Sequence, residues 1–222
     1  MGAVQFGIPK ELIKKIKEVY PIDNFVETGT YLGETSFWAS TQFKNTHTIE
    51  ISDELHQEAT KRYSKIKNIH FHLGDSKNVI PEIVKQLDGP ALFWLDGHWC
   101  GRNTGGKGNL CPVMDELKAA SSVKGSVILI DDLRCFLGPM PFDSEENYPS
   151  VHEIILYLNE RLPDNYVTFH DDTIICAPSA IKEIIDADWK LHFSKRYPNT
   201  FKNRISKMAW RIKRMNFNNE YE

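Results

Sequence analysis

From Asn24 to Asp132 the chain alternates short apolar, β-rich runs with stretches of helical periodicity, and this rhythm constrains its fold more than any other feature. Strands joined by helix-length connections can lie parallel in one sheet, with the helices covering its faces. The apolar runs predict strands at residues 24–28, 47–51, 69–73, 91–95 and 126–130. Helices are predicted at residues 35–40, 53–64, 76–87 with Ser76 as N-cap, and 112–121 with Pro112 in the first position. After Asp132 a Pro/Gly-punctuated loop runs to Pro149, and Ser150 with Glu153 then forms a capping box opening a helix to Arg161. Residues 166–170 and 173–177, split by Asp171-Asp172, predict a hairpin that ends the sheet with an antiparallel strand. Near the start, Pro9 precedes Leu12, Ile13, Ile16, Val19 and Tyr20, the spacing of a helix with one apolar face.

A chain of 222 residues with 41% hydrophobic and 26% charged residues has the composition of one globular domain with additions. The expected division is an N-terminal helical segment at 1–20, a main domain at 21–178 and a basic helical extension at 179–222. No apolar run reaches the roughly 20 residues that span a bilayer, and the N-terminal stretch lacks a secretory apolar core. Met1-Gly2 does not continue into a myristoylation motif, because Phe6 stands where Ser or Thr is wanted. A cytoplasmic location with reduced cysteines is expected.

Charge is distributed unevenly. Lys202, Arg204, Lys207, Arg211, Lys213 and Arg214 carry six positive charges in the tail, so against a net charge of -3 the remaining chain carries -9. An acidic body argues against nucleic acid as a partner. Phe201, Ile205, Met208, Ile212 and Met215 recur at helical spacing opposite those bases, giving a basic amphipathic helix expected to pack on the core. Contact of this tail with a membrane surface, and oligomer formation, are left open.

Ligands of an open parallel sheet bind beyond the carboxyl ends of its strands, so the residues found there belong together. They are acidic: Glu27, Glu50, Asp75 after Gly74, Asp96, and Asp131 with Asp132. Behind Glu27 the turn Thr28-Gly29-Thr30-Tyr31-Leu32-Gly33 leads into a helix carrying Thr35, whose free N–H groups suit an anionic group. Three residues separate the two glycines, which departs from the dinucleotide pattern G-x-G-x-x-G and favours a small carboxylate over a diphosphate. Glu50 lies 23 positions after Glu27, near the spacing of ~20 at which a strand-end acid meets ribose hydroxyls.

Glu27-x-Gly29-x-x-x-Gly33, with Glu50, Gly74-Asp75-Ser76 and Asp96, resembles the motif series of class I S-adenosylmethionine-dependent methyltransferases over residues 21–177. The resemblance implies an α/β, Rossmann-like doubly wound sheet of about seven strands, mostly parallel with an antiparallel last strand, besides the N-terminal helix and C-terminal helical tail. By that resemblance Glu27, Thr28, Gly29, Thr30, Tyr31 and Gly33 surround the methionyl moiety, Thr35 reaches its carboxylate, Glu50 holds the ribose, Asp75-Ser76 meet the adenine, and Asp96 completes the cofactor pocket.

Asp96, Asp131 and Asp132 end adjacent predicted strands, and three carboxylates suit an octahedral Mg²⁺. In this they resemble metal-dependent O-methyltransferases acting on antibiotic sugars and catechols, which place one acid after the fourth strand and an Asp pair after the fifth. Asp96 and His98 are the catalytic candidates, with His98 as general base because imidazole titrates near neutrality. The sequence Asp96-Gly97-His98-Trp99-Cys100 departs from both relatives, since catechol-type enzymes have Asp-His-Trp followed by Lys and sugar-type enzymes an Asp at the histidine. Arg102 and Lys107 in the loop 101–109 are candidates for an anionic acceptor, and residues 143–150 with His152 for the acceptor wall. His98, Cys100 and Cys111 have no compact zinc spacing.

The expected activity is Mg-assisted O-methylation of a small-molecule or glycan hydroxyl, a sugar or polyol. The alternatives are a metal-independent methyltransferase on another small acceptor, a carboxylate-rich metal hydrolase, and a cofactor-binding module without turnover.

Overall fold

A computed structural model describes residues 6–97, 111–139, 148–196 and Met208. The chain divides into two compact units at Ile184–Ile185, and the first holds the whole sheet.

Seven strands form one sheet in the order β3-β2-β1-β4-β5-β7-β6. They are β1 (Asn24–Thr28), β2 (Asn45–Glu50), β3 (Ile69–Leu73), β4 (Ala91–Leu95), β5 (Val127–Ile130), β6 (Asn165–His170) and β7 (Thr173–Pro178). The first five are parallel, whereas β7 runs antiparallel between β5 and β6. β1, β4 and β5 are buried along their full length, and β4 and β5 accordingly read as unbroken apolar runs.

The helices are α1 (Lys10–Val19), α2 (Glu34–Ser40), α3 (Asp53–Arg62), α4 (Ser76–Val84), α5 (Val113–Ala120), α6 (Val151–Arg161) and α7 (Lys182–Arg196). One continuous cluster packs Val26, Ile49, Phe93, Leu95, Ile128, Ile130 and Ile174 of the sheet with Ile80 and Ile83 of α4, Leu117 of α5, and Ile154 and Leu158 of α6. Burial of each such side chain contributes about 1.5–3 kcal/mol. In α1, Leu12, Ile13 and Ile16 are buried as its spacing predicts, while Val19 is exposed. Tyr20, just past that helix, donates its hydroxyl proton to the Gly125 carbonyl at 2.9 Å and so ties α1 to the loop before β5.

Several boundaries differ from those expected. Asp75, in extended conformation, is the N-cap of α4 and accepts from the Lys77 N–H, so Ser76 is the first helical residue instead of the cap. Pro112 likewise precedes α5 instead of opening it. β2 begins two residues early and stops at Glu50, leaving Ile51 exposed. The Ser150/Glu153 capping box is present, with both reciprocal bonds made.

The described part of the second unit is α7 from Ile185 onward and Met208. There the Trp189 ring lies 6.1 Å from that of Phe193, one helical turn away. The expected amphipathic tail at 201–215 otherwise lies outside the described residues.

Candidate active site

The chain runs from β1 to β2 on one side and returns to β4 on the other, so the sheet's direction of winding reverses between β1 and β4. A crevice at the carboxyl ends of the strands is the usual consequence. Gly29 follows β1 there, with φ +81°, and a Cβ at that position would lie 2.4 Å from the Asp96 carbonyl oxygen. A glycine is required for the β1 and β4 ends to approach this closely. Gly33 is the N-cap of α2, also at positive φ, and a Cβ there would lie 2.8 Å from the Tyr63 ring. The two glycines therefore serve different contacts, one strand to strand and one helix to helix.

The turn between them is held from within. Gly29 and Thr30 both donate their N–H groups to the Ile49 carbonyl, at 3.0 and 3.1 Å, and Gly33 donates to the Thr30 carbonyl. The Tyr31 N–H, in a residue with φ 47°, donates to Glu50 Oε2 at 2.9 Å, and the Ser52 N–H donates to Glu50 Oε1 at 2.9 Å. The N–H groups of Gly29, Thr30, Tyr31 and Gly33 are thus all used internally, ahead of the α2 start at Glu34. Each Glu50 oxygen accepts one backbone bond and keeps a further lone pair, the arrangement that two neighbouring hydroxyls require.

Glu27 is buried beneath the start of α2. Its Oε2 accepts from the Ser36 hydroxyl and, at 2.7 Å, from the Thr48 hydroxyl, which in turn is 2.6 Å from that of Thr30. Burial pushes the Glu27 carboxyl up to about 7, against the pull of its Ser36 and Thr48 bonds and with the Glu50 charge adding to the rise. The Thr28 hydroxyl accepts from the Asp96 N–H at 3.0 Å, fixing the end of β4 against that of β1. Asp96 itself is held well above the usual carboxylate range, first by burial and then by the charges of Asp131, Asp132 and Glu27. So much negative potential at one point favours a cationic ligand.

Beyond β5 and the β6–β7 turn, Asp131, Asp132 and Asp172 each bring a carboxylate oxygen within 4.8 Å of the others. Asp172 was not among the expected ligands, having been read as part of a tight turn. The signal lay in the antiparallel register: Ile130 pairs with Ile174, and continuing that ladder sets Asp132 opposite Asp172. Asp96 is coupled electrostatically to Asp131 and Asp132 but is outside this closest group. Arg134 is set among the three acids. Its Nη2 lies 2.6 Å from Asp132 Oδ1 and its Nη1 pairs with Asp172 Oδ2, while its N–H donates to Asp172 Oδ1 at 3.0 Å.

Asp75 caps α4 and pairs with Lys77 at 3.2 Å, and Ser76 beside it is buried. Thr35 lines a cavity of about 490 Å³ with Phe6, Ile8, Lys10 and Glu34. Cys111 is held protonated by burial, its thiol pushed up to about 12. His98, Arg102, Lys107 and residues 143–147 of the expected acceptor wall lie outside the described residues, whereas His152 is in the first turn of α6.

No protein-family model and no curated protein matches the sequence. Among solved structures the chain is similar to a candidate caffeoyl-CoA O-methyltransferase from Staphylococcus aureus, at 14% identity over 78% of this chain and 86% of that one, with a TM-score of 0.51. The chain has the class I methyltransferase fold. It is also similar to a magnesium protoporphyrin IX methyltransferase from Synechocystis PCC 6803 with bound S-adenosylmethionine, at 10% identity over 77% of each chain and a TM-score of 0.47. An rRNA methylase from Streptococcus thermophilus matches at 10% identity over 79% of this chain and 98% of that one, with a TM-score of 0.47.

Proposed function

We propose that this chain is an S-adenosylmethionine-dependent methyltransferase that methylates a hydroxyl oxygen of a small sugar or polyol with the help of Mg²⁺. One observation carries the cofactor reading: at the crevice between β1 and β4, the Glu50 carboxylate is fixed by the Tyr31 and Ser52 N–H groups beside the buried acids Glu27 and Asp96. When bound, the cofactor supplies a methyl group on a positively charged sulfur. Glu50 accepts from the ribose hydroxyls, the Gly29–Gly33 turn encloses the methionyl end, Thr35 meets its carboxylate, and Asp75 with Ser76 borders the adenine. Asp96 and Glu27 offset the positive charge.

Asp131, Asp132 and Asp172 offer hard oxygen donors within 4.8 Å of one another, the donor type that Mg²⁺ takes, and Asp96 is coupled to two of them electrostatically. Such an ion lowers the pKa of a coordinated hydroxyl. His98 is the base in this reading. The acidic body makes nucleic acid a poor acceptor, and the unpaired Cys111, Cys135 and Cys176 suit a reducing, cytoplasmic setting.

Titration with S-adenosylhomocysteine by calorimetry tests the cofactor. Absence of binding at millimolar ligand overturns the reading. The acceptor is tested by methyl transfer to a panel of sugars and polyols, where labelling of nitrogen acceptors alone rejects O-methylation. Arg134 gives a specific reason to keep a metal-independent enzyme as the second reading, because its guanidinium already pairs with both Asp132 and Asp172. Undiminished turnover after EDTA treatment would favour that second reading.

A further inference from the structure

Two cations address the same oxygens. Asp172 is buried, yet its Oδ1 accepts the Arg134 N–H and its Oδ2 meets the Arg134 guanidinium. Asp132, held in the left-handed region at φ 55°, offers Oδ1 to the other arm of that guanidinium at 2.6 Å. Asp131, also buried, points Oδ1 back to the Asp132 N–H at 2.8 Å and so fixes the strained corner on which both aspartates depend. Leu133 adds a backbone bond to the Asp172 carbonyl at 2.8 Å. Asp131 and Asp172 are therefore held in place by backbone bonds, whereas the guanidinium sits on a half-exposed side chain, 5.0 Å from the Phe6 ring. Backbone bonds would persist if the guanidinium swung out. Burying Asp131 and Asp172 without a cation is costly, so the guanidinium leaves favourably only as another cation enters.

Resting on the Mg-assisted reading above, we propose that Arg134 is an internal counter-cation that a divalent ion displaces from Asp132 and Asp172, so that metal binding and release of the arginine are one event. The exchange offsets part of the cluster's negative charge in the metal-free protein and weakens metal affinity. Arg134 touches neither acceptor nor cofactor in this role. It acts through the carboxylates and is a positioning residue.

Mn²⁺ binding to the full-length protein, followed by electron paramagnetic resonance of the free ion, reads the exchange without reference to turnover. Arg134→Gln should bind Mn²⁺ about tenfold or more tightly than the wild type, since a full charge is removed from within a few ångströms of the site. Arg134→Lys should stay close to wild type. Equal affinity in wild type and Arg134→Gln overturns the exchange while leaving the metal reading intact, and no binding in either overturns both. In the wild type, Mn²⁺ should speed modification of Arg134 by phenylglyoxal, read by mass spectrometry. An unchanged or slower rate at saturating Mn²⁺ overturns the proposal even if Arg134→Gln fails to fold.

Discussion

The Thr48 hydroxyl on β2 donates a 2.7 Å hydrogen bond to the buried Glu27 carboxylate on β1. Together with the Ser36 bond it sustains a charge that burial opposes, and Glu27 is thereby poised near neutrality, at about 7. A cationic ligand nearby should complete its ionisation. Between about pH 4.5 and 7 the free folded protein holds this proton and the unfolded chain does not, so ionising Glu27 lowers stability as pH rises through that window. Binding of S-adenosylmethionine at pH 6 should release protons, and affinity should fall by up to about tenfold per pH unit below 7. Calorimetry in buffers of different ionisation enthalpy checks this, and Glu27→Gln should remove both the release and the slope.

Gly29→Ala tests how closely the β1 and β4 ends must approach. The added methyl would lie 2.4 Å from the Asp96 carbonyl oxygen in a backbone with φ +81°. Overpacking and left-handed strain together should cost roughly 2–5 kcal/mol. The midpoint of urea unfolding measures the loss. If the variant is as stable as the wild type, the geometry of this turn is wrong.

At the β3 edge, His47 Nδ1 lies 3.1 Å from His72 Nε2, and the His47 and His70 rings stack with centroids 4.8 Å apart. Burial, followed by the neighbouring His70 and His72, lowers His47 to about 4. His72 is lowered too, by burial and then by His70 and His56. The unfolded chain takes up protons first as pH falls, so the stability from neutral His47 is complete above about 6.5 and is lost toward pH 4. After allowance for partial exposure the loss should be about 1–2 kcal/mol. Thermal melts at pH 7 and pH 5 on a Glu27→Gln background, which removes the opposing Glu27 contribution, should show it, and adding His47→Phe should flatten the difference.

Much of this architecture is legible in the sequence because buried parallel strands are written as apolar runs between polar ends, as in β4 and β5. The expected β2 starts two residues late because Asn45 and Thr46 are polar, and hydropathy does not signal a buried threonine such as Thr46. Asp75 and Ser76 are both capable of capping, and the extended backbone at Asp75 decides between them. Asp172 entered the candidate metal group through strand pairing rather than through any local motif. Arg134 is likewise invisible in sequence, since its two carboxylate partners come from opposite sides of an antiparallel ladder.

Glu50 offers the sharpest separation between a structural and a ligand-binding carboxylate. Its Oε1 and Oε2 take the Ser52 and Tyr31 N–H groups, and Glu50→Gln can retain only one of these bonds as an acceptor while losing the charge. Hydrogen bonds to a charged group contribute about 1.5–3 kcal/mol each, so losing those to two ribose hydroxyls should weaken S-adenosylhomocysteine binding by about 10²-fold or more. A role confined to holding the turn would instead lower the melting temperature and leave the affinity of the folded fraction within a few fold. Calorimetry and thermal melts on Glu50→Gln distinguish the two.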